Sequence, residues 1–252
     1  MLIMGLTILV MILVTIVLAA RLTSRSTVAS ASAPMPARPW AFGEGMCWLA
    51  VRTRDTDGVV AALGLHGAGS STWDHGLGAV SGLYEAHGRI FVSPPVNGWT
   101  LVVGLALPQP MGPAFVDKAM PLLEDLGERF VEVQYFLAYP VLDYFAWARV
   151  LDGRLQRAYA VTDDGNVWDE GRTTREEKAL GIRFYEMRGI RRREGDAGGE
   201  LVLHPTAAHV SGLAAQWSLD PTRLAGMPPP AGAGVLGRAP RAWRPERLRR
   251  RA

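Results

Sequence analysis

Asn97-Gly98 stands between two apolar runs, Ile90-Phe91-Val92 and Trp99 to Leu107, and no other feature of the sequence restricts the fold as tightly. A two-residue turn of type I′ needs positive φ at both central residues, and Asn and Gly adopt it at least cost. The pair therefore predicts a β-hairpin. Both arms read as near-continuous apolar runs instead of strict alternation, so they are expected at the centre of a sheet, covered on at least one face. Pro94-Pro95 interrupts the first arm. Proline has no N–H to give to a ladder, so an edge or a bulge is expected there.

The flanking sequence adds elements to this hairpin. Cys47-Trp48-Leu49-Ala50-Val51 reads as a short buried strand, and Asp55-Thr56-Asp57 offers an N-cap to a helix carrying Val59, Val60, Ala62 and Leu63 and closed by Gly64. His66 to Gly88 is glycine-rich and polar, a long loop with one helical turn around Leu77 to Tyr84. Beyond the hairpin, Phe115, Ala119, Leu122, Leu123, Leu126 and Phe130 fall at helical spacing, which predicts an amphipathic helix from Pro113 to Phe130, kinked or restarted at Pro121. Val131, Val133, Tyr135 and Leu137 then alternate with Glu132, Gln134 and Ala138, the period of a half-buried strand.

The order βαββαβ predicts an α+β fold with a ferredoxin-like core, its helices on one face of an antiparallel sheet. Asp152-Gly153 and Asp164-Gly165 extend it as an antiparallel β-meander through Phe145 to Leu151, Arg154 to Val161 and Val167-Trp168. Thr174-Arg175-Glu176-Glu177 is a capping box for a short helix through Leu180. Val210, Leu213, Ala214 and Trp217 make a final helical stripe, and Asp220-Pro221 opens a last turn to Leu224.

Four regions follow from composition. Residues 1–22 contain an uncharged apolar run, Leu2 to Ala20, long enough for a hydrocarbon core of ~30 Å, and are expected to be a transmembrane anchor. A cleaved signal peptide is the competing reading, through Ala31-Ser32-Ala33, but no basic residue precedes the run and the run exceeds a usual signal core. Arg21, Arg25 and Arg38 follow the run, which by the positive-inside rule puts the rest of the chain on the cytoplasmic side of a bacterial cytoplasmic membrane. Residues 23–39 are a Ser/Ala/Pro linker, 40–226 a single domain, and 227–252 a Pro/Gly/Arg-rich basic tail expected to be disordered.

That tail explains the charge. Arg238 to Ala252 holds seven arginines against Glu246, which is +6, so the remaining residues carry −3 of the formal net +3. The folded part offers no broad basic face for nucleic acid, and the tail's expected partner is anionic lipid. A single cysteine, Cys47, excludes an internal disulfide framework and a multi-cysteine zinc site.

Several stretches imitate functional motifs. Leu65-His66-Gly67-Ala68-Gly69-Ser70-Ser71 resembles the oxyanion loop of α/β-hydrolases, but no G-x-S-x-G elbow follows it. His66, His75 and His87 gather near Asp74 and Glu85 without metal-ligand spacing, so neither a metal nor another cofactor is expected. Gly232-Ala233-Gly234-Val235-Leu236-Gly237 fits G-x-G-x-x-G as a string, yet it follows three prolines and leaves too few residues for a βαβ unit. The aromatic residues are expected mostly in the core, with Trp99, Trp147 and Trp168, which flank turns, as the candidates for exposure and partner contact.

Cys47-Trp48-Leu49-Ala50-Val51-Arg52-Thr53, Ser93-Pro94-Pro95-Val96-Asn97-Gly98-Trp99, Val133-Gln134-Tyr135-Phe136 and Gln216-Trp217-Ser218-Leu219-Asp220-Pro221 together resemble a bacterial protein family, uncharacterised as to activity. The resemblance spans about Trp40 to Leu224 and carries over no catalytic residue. The expected function is a non-enzymatic, membrane-anchored module binding a protein or peptide, with an immunity-like role as one version. The alternative is an enzyme built on the loop bearing His66, Asp74, His75 and His87, with carboxylates such as Glu132 or Asp143. The two differ in what they require: an exposed apolar patch for the binder, a pocket of converging ionisable groups for the enzyme.

Overall fold

The computed structural model describes residues 41–81, 88–112, 114–162, 165–182, 205–228 and 230–248. The anchor and linker lie outside them, and among the described residues no helix is long and apolar enough to cross a membrane.

The Asn97-Gly98 turn has φ of 49° and 84°. Val96 and Trp99 exchange both backbone hydrogen bonds across it, at 2.8 and 2.9 Å. Its arms are β3 (Arg89–Val92) and β4 (Thr100–Val103), both short and almost wholly buried. Ser93 bridges the gap that Pro94-Pro95 opens: its N–H donates to Leu101 O at 2.7 Å, and its hydroxyl accepts from Leu101 N at 2.9 Å. The prolines thus leave the ladder as a bulge would, and the side chain replaces the missing carbonyl.

Around this hairpin runs one nine-stranded antiparallel sheet. Its other strands are β1 (Met46–Val51), β2 (His66–Ser71), β5 (Glu132–Tyr139), β6 (Tyr144–Leu151), β7 (Arg154–Thr162), β8 (Gly165–Gly171) and β9 (Gly234–Arg238), in the order β2-β9-β3-β4-β1-β5-β6-β7-β8. Helices α1 (Thr56–Leu63) and α3 (Ala119–Gly127) share one face, where Val59, Leu63, Leu122, Leu123 and Leu126 pack on Leu49, Val102 and Leu137. The other face carries α2 (Trp73–Ser81) and α5 (Ala207–Trp217), with Leu77, Val80, Val210 and Leu213 on Trp48, Phe136 and Trp147. A short α4 (Arg175–Ala179) opens with the Thr174–Glu177 capping box.

Four expectations are corrected. The stretch from His66 is strand and helix rather than loop, because Trp73, Leu77 and Val80 form a buried stripe that outweighs the glycines. The strand at 131–138 is not half-buried. Glu132 and Gln134 are covered, since α5 lies over them and Gln134 Nε2 donates to Trp217 O at 3.0 Å, whereas Val131 is exposed. The helix after Pro113 begins only at Ala119, capped by Asp117 Oδ1 on the N–H groups of Ala119 and Met120. Pro121 then falls in the first turn, where no intrahelical N–H is needed, and causes no break.

The fourth correction concerns the tail. Gly234–Arg238 is a sheet strand between β2 and β3, and the chain beyond it returns over the α1/α3 face. Val116 N donates to Glu246 O and Leu248 N to Ala114 O, each at 2.9 Å. Val235 and Leu236 suffice as strand residues because the glycines beside them permit close packing: a Cβ on Gly234 would lie 2.4 Å from the Phe91 ring.

Candidate functional site

A concavity with an apolar lining lies at the end of the sheet where β1 starts and β5 stops. Gly45 N donates to Ala138 O at 2.7 Å there, which fixes the segment 41–45 against the strand end. The groove, about 540 Å³, is walled by Leu77, Gly78 and Ser81 of α2, by Ala41, Phe42 and Met46, and by Tyr139, Pro140 and Val141 beyond β5, with Leu105 between.

Two local features build it. A Cβ on Gly76 would fall 2.1 Å from Cδ2 of Phe91, so only glycine lets α2 approach the sheet this closely. Two residues on, a Cβ at Gly78 would meet nothing within 4 Å, which leaves that side of the helix open to the groove. The opposite wall is the 3-10 turn Pro140–Leu142, preset by the fixed φ of Pro140 and closed at Asp143, whose φ is 45° and whose N–H donates to Pro140 O. No strand continues past the Tyr139–Tyr144 pair, so the turn projects from the sheet. Val141 is 87% and Leu142 59% exposed.

Glu44 is the one carboxylate lining the groove among the described residues. Among the described residues no acid/base pair converges on it, and the single cysteine is withdrawn from it. Cys47 is fully buried; desolvation pushes its thiol up to about 12, although the S–H donates to Tyr135 Oη at 3.2 Å. Burial likewise holds the Tyr135 phenol well above its usual range, and its hydroxyl donates to Pro108 O. A second cavity of about 500 Å³ lies beneath the returning C-terminal segment, between Leu105–Gln109, Lys118 and Trp243–Pro245. Lys118 there is paired with Glu246 at 2.9 Å.

Two internal charge clusters lie apart from both cavities. Glu177 accepts from Trp147 Nε1 at 2.7 Å and Arg157 Nε at 3.0 Å through Oε1, and from Thr174 N through Oε2. Glu132 accepts from Arg149 Nε at 2.8 Å and Gln134 Nε2 at 2.8 Å, with Arg52 at 3.4 Å. Each carboxylate accepts from three donors, an arrangement that braces strands, and neither lines a cavity described above.

The three tryptophans expected at the surface are buried. Trp99 is 9%, Trp168 5% and Trp147 0% exposed. Trp147 Nε1 reaches the buried Glu177, Trp168 Nε1 donates to Asp117 Oδ2 at 2.7 Å, and Trp99 lies under the Arg52 guanidinium. Internal partners for ring and N–H remove the reason to stay wet. His66 is exposed on the edge strand β2, and Asp74 and His75 are exposed on the first turn of α2; none of them lines either cavity. His87 lies outside the described residues. Among those described, no three His, Cys, Asp or Glu side chains gather as a metal site. Leu77, Gly78, Val141 and Leu142 escaped the sequence reading, where only Pro140 and Asp143 hint at a turn.

No protein-family model, no curated protein and no solved structure matches this chain.

Proposed function

We propose that this protein is a membrane-anchored, non-enzymatic binding module with a ferredoxin-like core, whose groove beside Leu77 and Gly78 takes an apolar segment of a protein or peptide partner. One observation carries the reading: the groove is apolar, is flanked by the exposed Val141 and Leu142, and has a single carboxylate on its lining. Apolar concavities of a few hundred Å³ are the usual form of a recognition site, and adjoining exposed aliphatic side chains mark surfaces awaiting a partner. The strand order β3-β4-β1-β5, with α1 and α3 on one face, supports the ferredoxin-like reading of the core.

The apolar run Leu2 to Ala20 supports anchoring. The test uses the full chain, purified in detergent from its native membranes beside a Gly78→Arg variant. Gly78 faces open space, so the arginine fills the groove without displacing the core. A stoichiometric protein bound to the wild type and lost from the variant is the expected result. A partner retained by the variant removes the groove from the proposal.

A further inference from the structure

We propose that the cavity beneath the returning C-terminal segment binds a small organic acid, a monocarboxylate whose flat apolar body lies against Trp243 and whose carboxylate meets Arg244 and Lys118. This cavity shares one residue, Leu105, with the groove assigned above to a protein partner, so the two sites are tested separately.

The roof of the cavity is an arch. Ala239 N donates to Gly88 O at 2.7 Å at one end, while Val116 N donates to Glu246 O and Leu248 N to Ala114 O, each at 2.9 Å, at the other. Between these ties the backbone of residues 240–245 bonds to itself, Trp243 N to Pro240 O at 3.1 Å and Arg244 N to Arg241 O at 3.2 Å. Pro240 and Pro245 stiffen both ends of that stretch. The floor has its own fastenings: Gln109 Nε2 donates to Leu105 O at 3.1 Å, Tyr135 Oη to Pro108 O at 3.1 Å, and Tyr144 Oη to Pro110 O. Roof and floor are braced separately, which preserves a space of about 500 Å³ between them, within the range of small-ligand sites.

The lining selects the ligand. Leu107, Met111, Val116 and Trp243 are apolar, and the rings of Trp243 and the two prolines offer flat faces to a planar body. Two cations, Lys118 and Arg244, also line the cavity, and among the described residues no Asp or Glu does. Asp117 is engaged elsewhere: Oδ1 accepts from the N–H groups of Ala119 and Met120, and Oδ2 from Trp168 Nε1. Glu246 pairs with Lys118 at 2.9 Å, whereas Arg244 enters no ion pair among the described residues. Two cations against one paired carboxylate leave a single excess positive charge, which a monocarboxylate balances and a phosphate monoester oversteps. The guanidinium fork of Arg244 also matches the two oxygens of a carboxylate. Glu246 is 64% exposed, so its hold on Lys118 is weak, and the ammonium keeps donors to share with a ligand.

The experiment is equilibrium dialysis of the full chain in detergent, with protein-free micelles as the blank. Its probes are naphthaleneacetate, phenylbutyrate and benzoate, each beside its neutral amide. Saturable binding of at least one acid, roughly tenfold tighter than its amide, is the expected result. Arg244→Glu should abolish that binding with the circular dichroism spectrum unchanged, because residue 244 is exposed. Glu246→Gln should tighten it about threefold by withdrawing a like charge from the ligand's carboxylate. Acid and amide bound equally overturn the selection by charge. Acid binding that survives Arg244→Glu in a folded chain overturns the site. No saturable binding of any of the acids up to about 10 mM overturns the proposal as a whole, and the Gly78→Arg test of the groove keeps its meaning in every case.

Discussion

Gly76 and Gly78 occupy the same helix two residues apart, yet alanine should act oppositely at the two positions. In an ordinary helix interior, replacing glycine by alanine stabilises by about 0.5–1 kcal/mol, because the unfolded chain loses freedom it would otherwise have regained. Gly78 meets nothing within 4 Å of its would-be Cβ, so the full gain is expected there. At Gly76 the new methyl would lie 2.1, 2.3 and 2.6 Å from three carbons of the Phe91 ring. That ring cannot retreat: it is fully buried, the backbone of Gly234 lies against it, and Trp73 packs on it edge-on at 5.7 Å. Overpacking of this kind costs about 1–3 kcal/mol, and an overlap this deep belongs at the upper end. The two variants should therefore differ by roughly 3 kcal/mol, with opposite signs relative to the wild type. Urea unfolding of the micelle-bound full chain would show the midpoint lowered for Gly76→Ala and raised for Gly78→Ala at unchanged slope. Adding Phe91→Leu to Gly76→Ala should cost less than the sum of the single changes, because the smaller side chain makes room for the methyl. Midpoints that move in the same direction would refute the close approach of α2 to the sheet, and with it the wall of the groove.

Glu177→Ala should cost about 3–5 kcal/mol in the same assay by removing the buried one of the two carboxylates that pair with Arg157, leaving it the half-exposed Asp169, and pairing Glu177→Leu with Arg157→Met should recover part of it. The Cys47 thiol predicts alkaline lability. Its folded value of about 12 exceeds the unfolded value of 9.0, so the unfolded state releases the proton first. Stability should be at its full value below pH 9 and fall by about 1.4 kcal/mol per pH unit between 9 and 12, with Cys47→Ala removing that component of the slope. Truncation before Gly234 should bare the facing edges of β2 and β3, and size-exclusion chromatography should find the product aggregated.

The hairpin, the antiparallel meander and the Thr174 capping box were legible because each depends on neighbours in sequence, whereas the βαββαβ order missed the strand and helix between His66 and Ser81. What was not legible depends on coverage from a distance. Glu132 and Gln134 alternate with apolar residues and read as solvent-facing until α5, more than seventy residues later, closes over them. The stripe Trp73, Leu77, Val80 was present in the sequence, but glycines diluted it, and the reason for one of them is a ring on another strand. Proximity to turns marked Trp147 and Trp168 as surface residues, although the acids that accept their N–H groups, Glu177 and Asp117, come from remote segments. The groove was hidden for the same reason. Val141-Leu142 falls between the strands read at 131–138 and from Phe145, and its exposure follows from the sheet having no strand beyond Tyr139 and Tyr144.

The placement of β9 has a consequence for the order in which the protein can be made. Among the described residues β2 reaches the rest of the sheet only through Gly234–Arg238, a strand that comes far later in the sequence. During synthesis, β3 to β8 can pair as they emerge, whereas β2 must wait for Gly234–Arg238 to be made and threaded between it and β3. For that interval two strand edges stand open, one of them the apolar Ile90-Phe91-Val92, and the nascent chain carries an aggregation hazard that the finished molecule has sealed. Completion of the sheet thus waits on Gly234–Arg238, and a chain terminated before it lacks the strand that joins β2 to the rest.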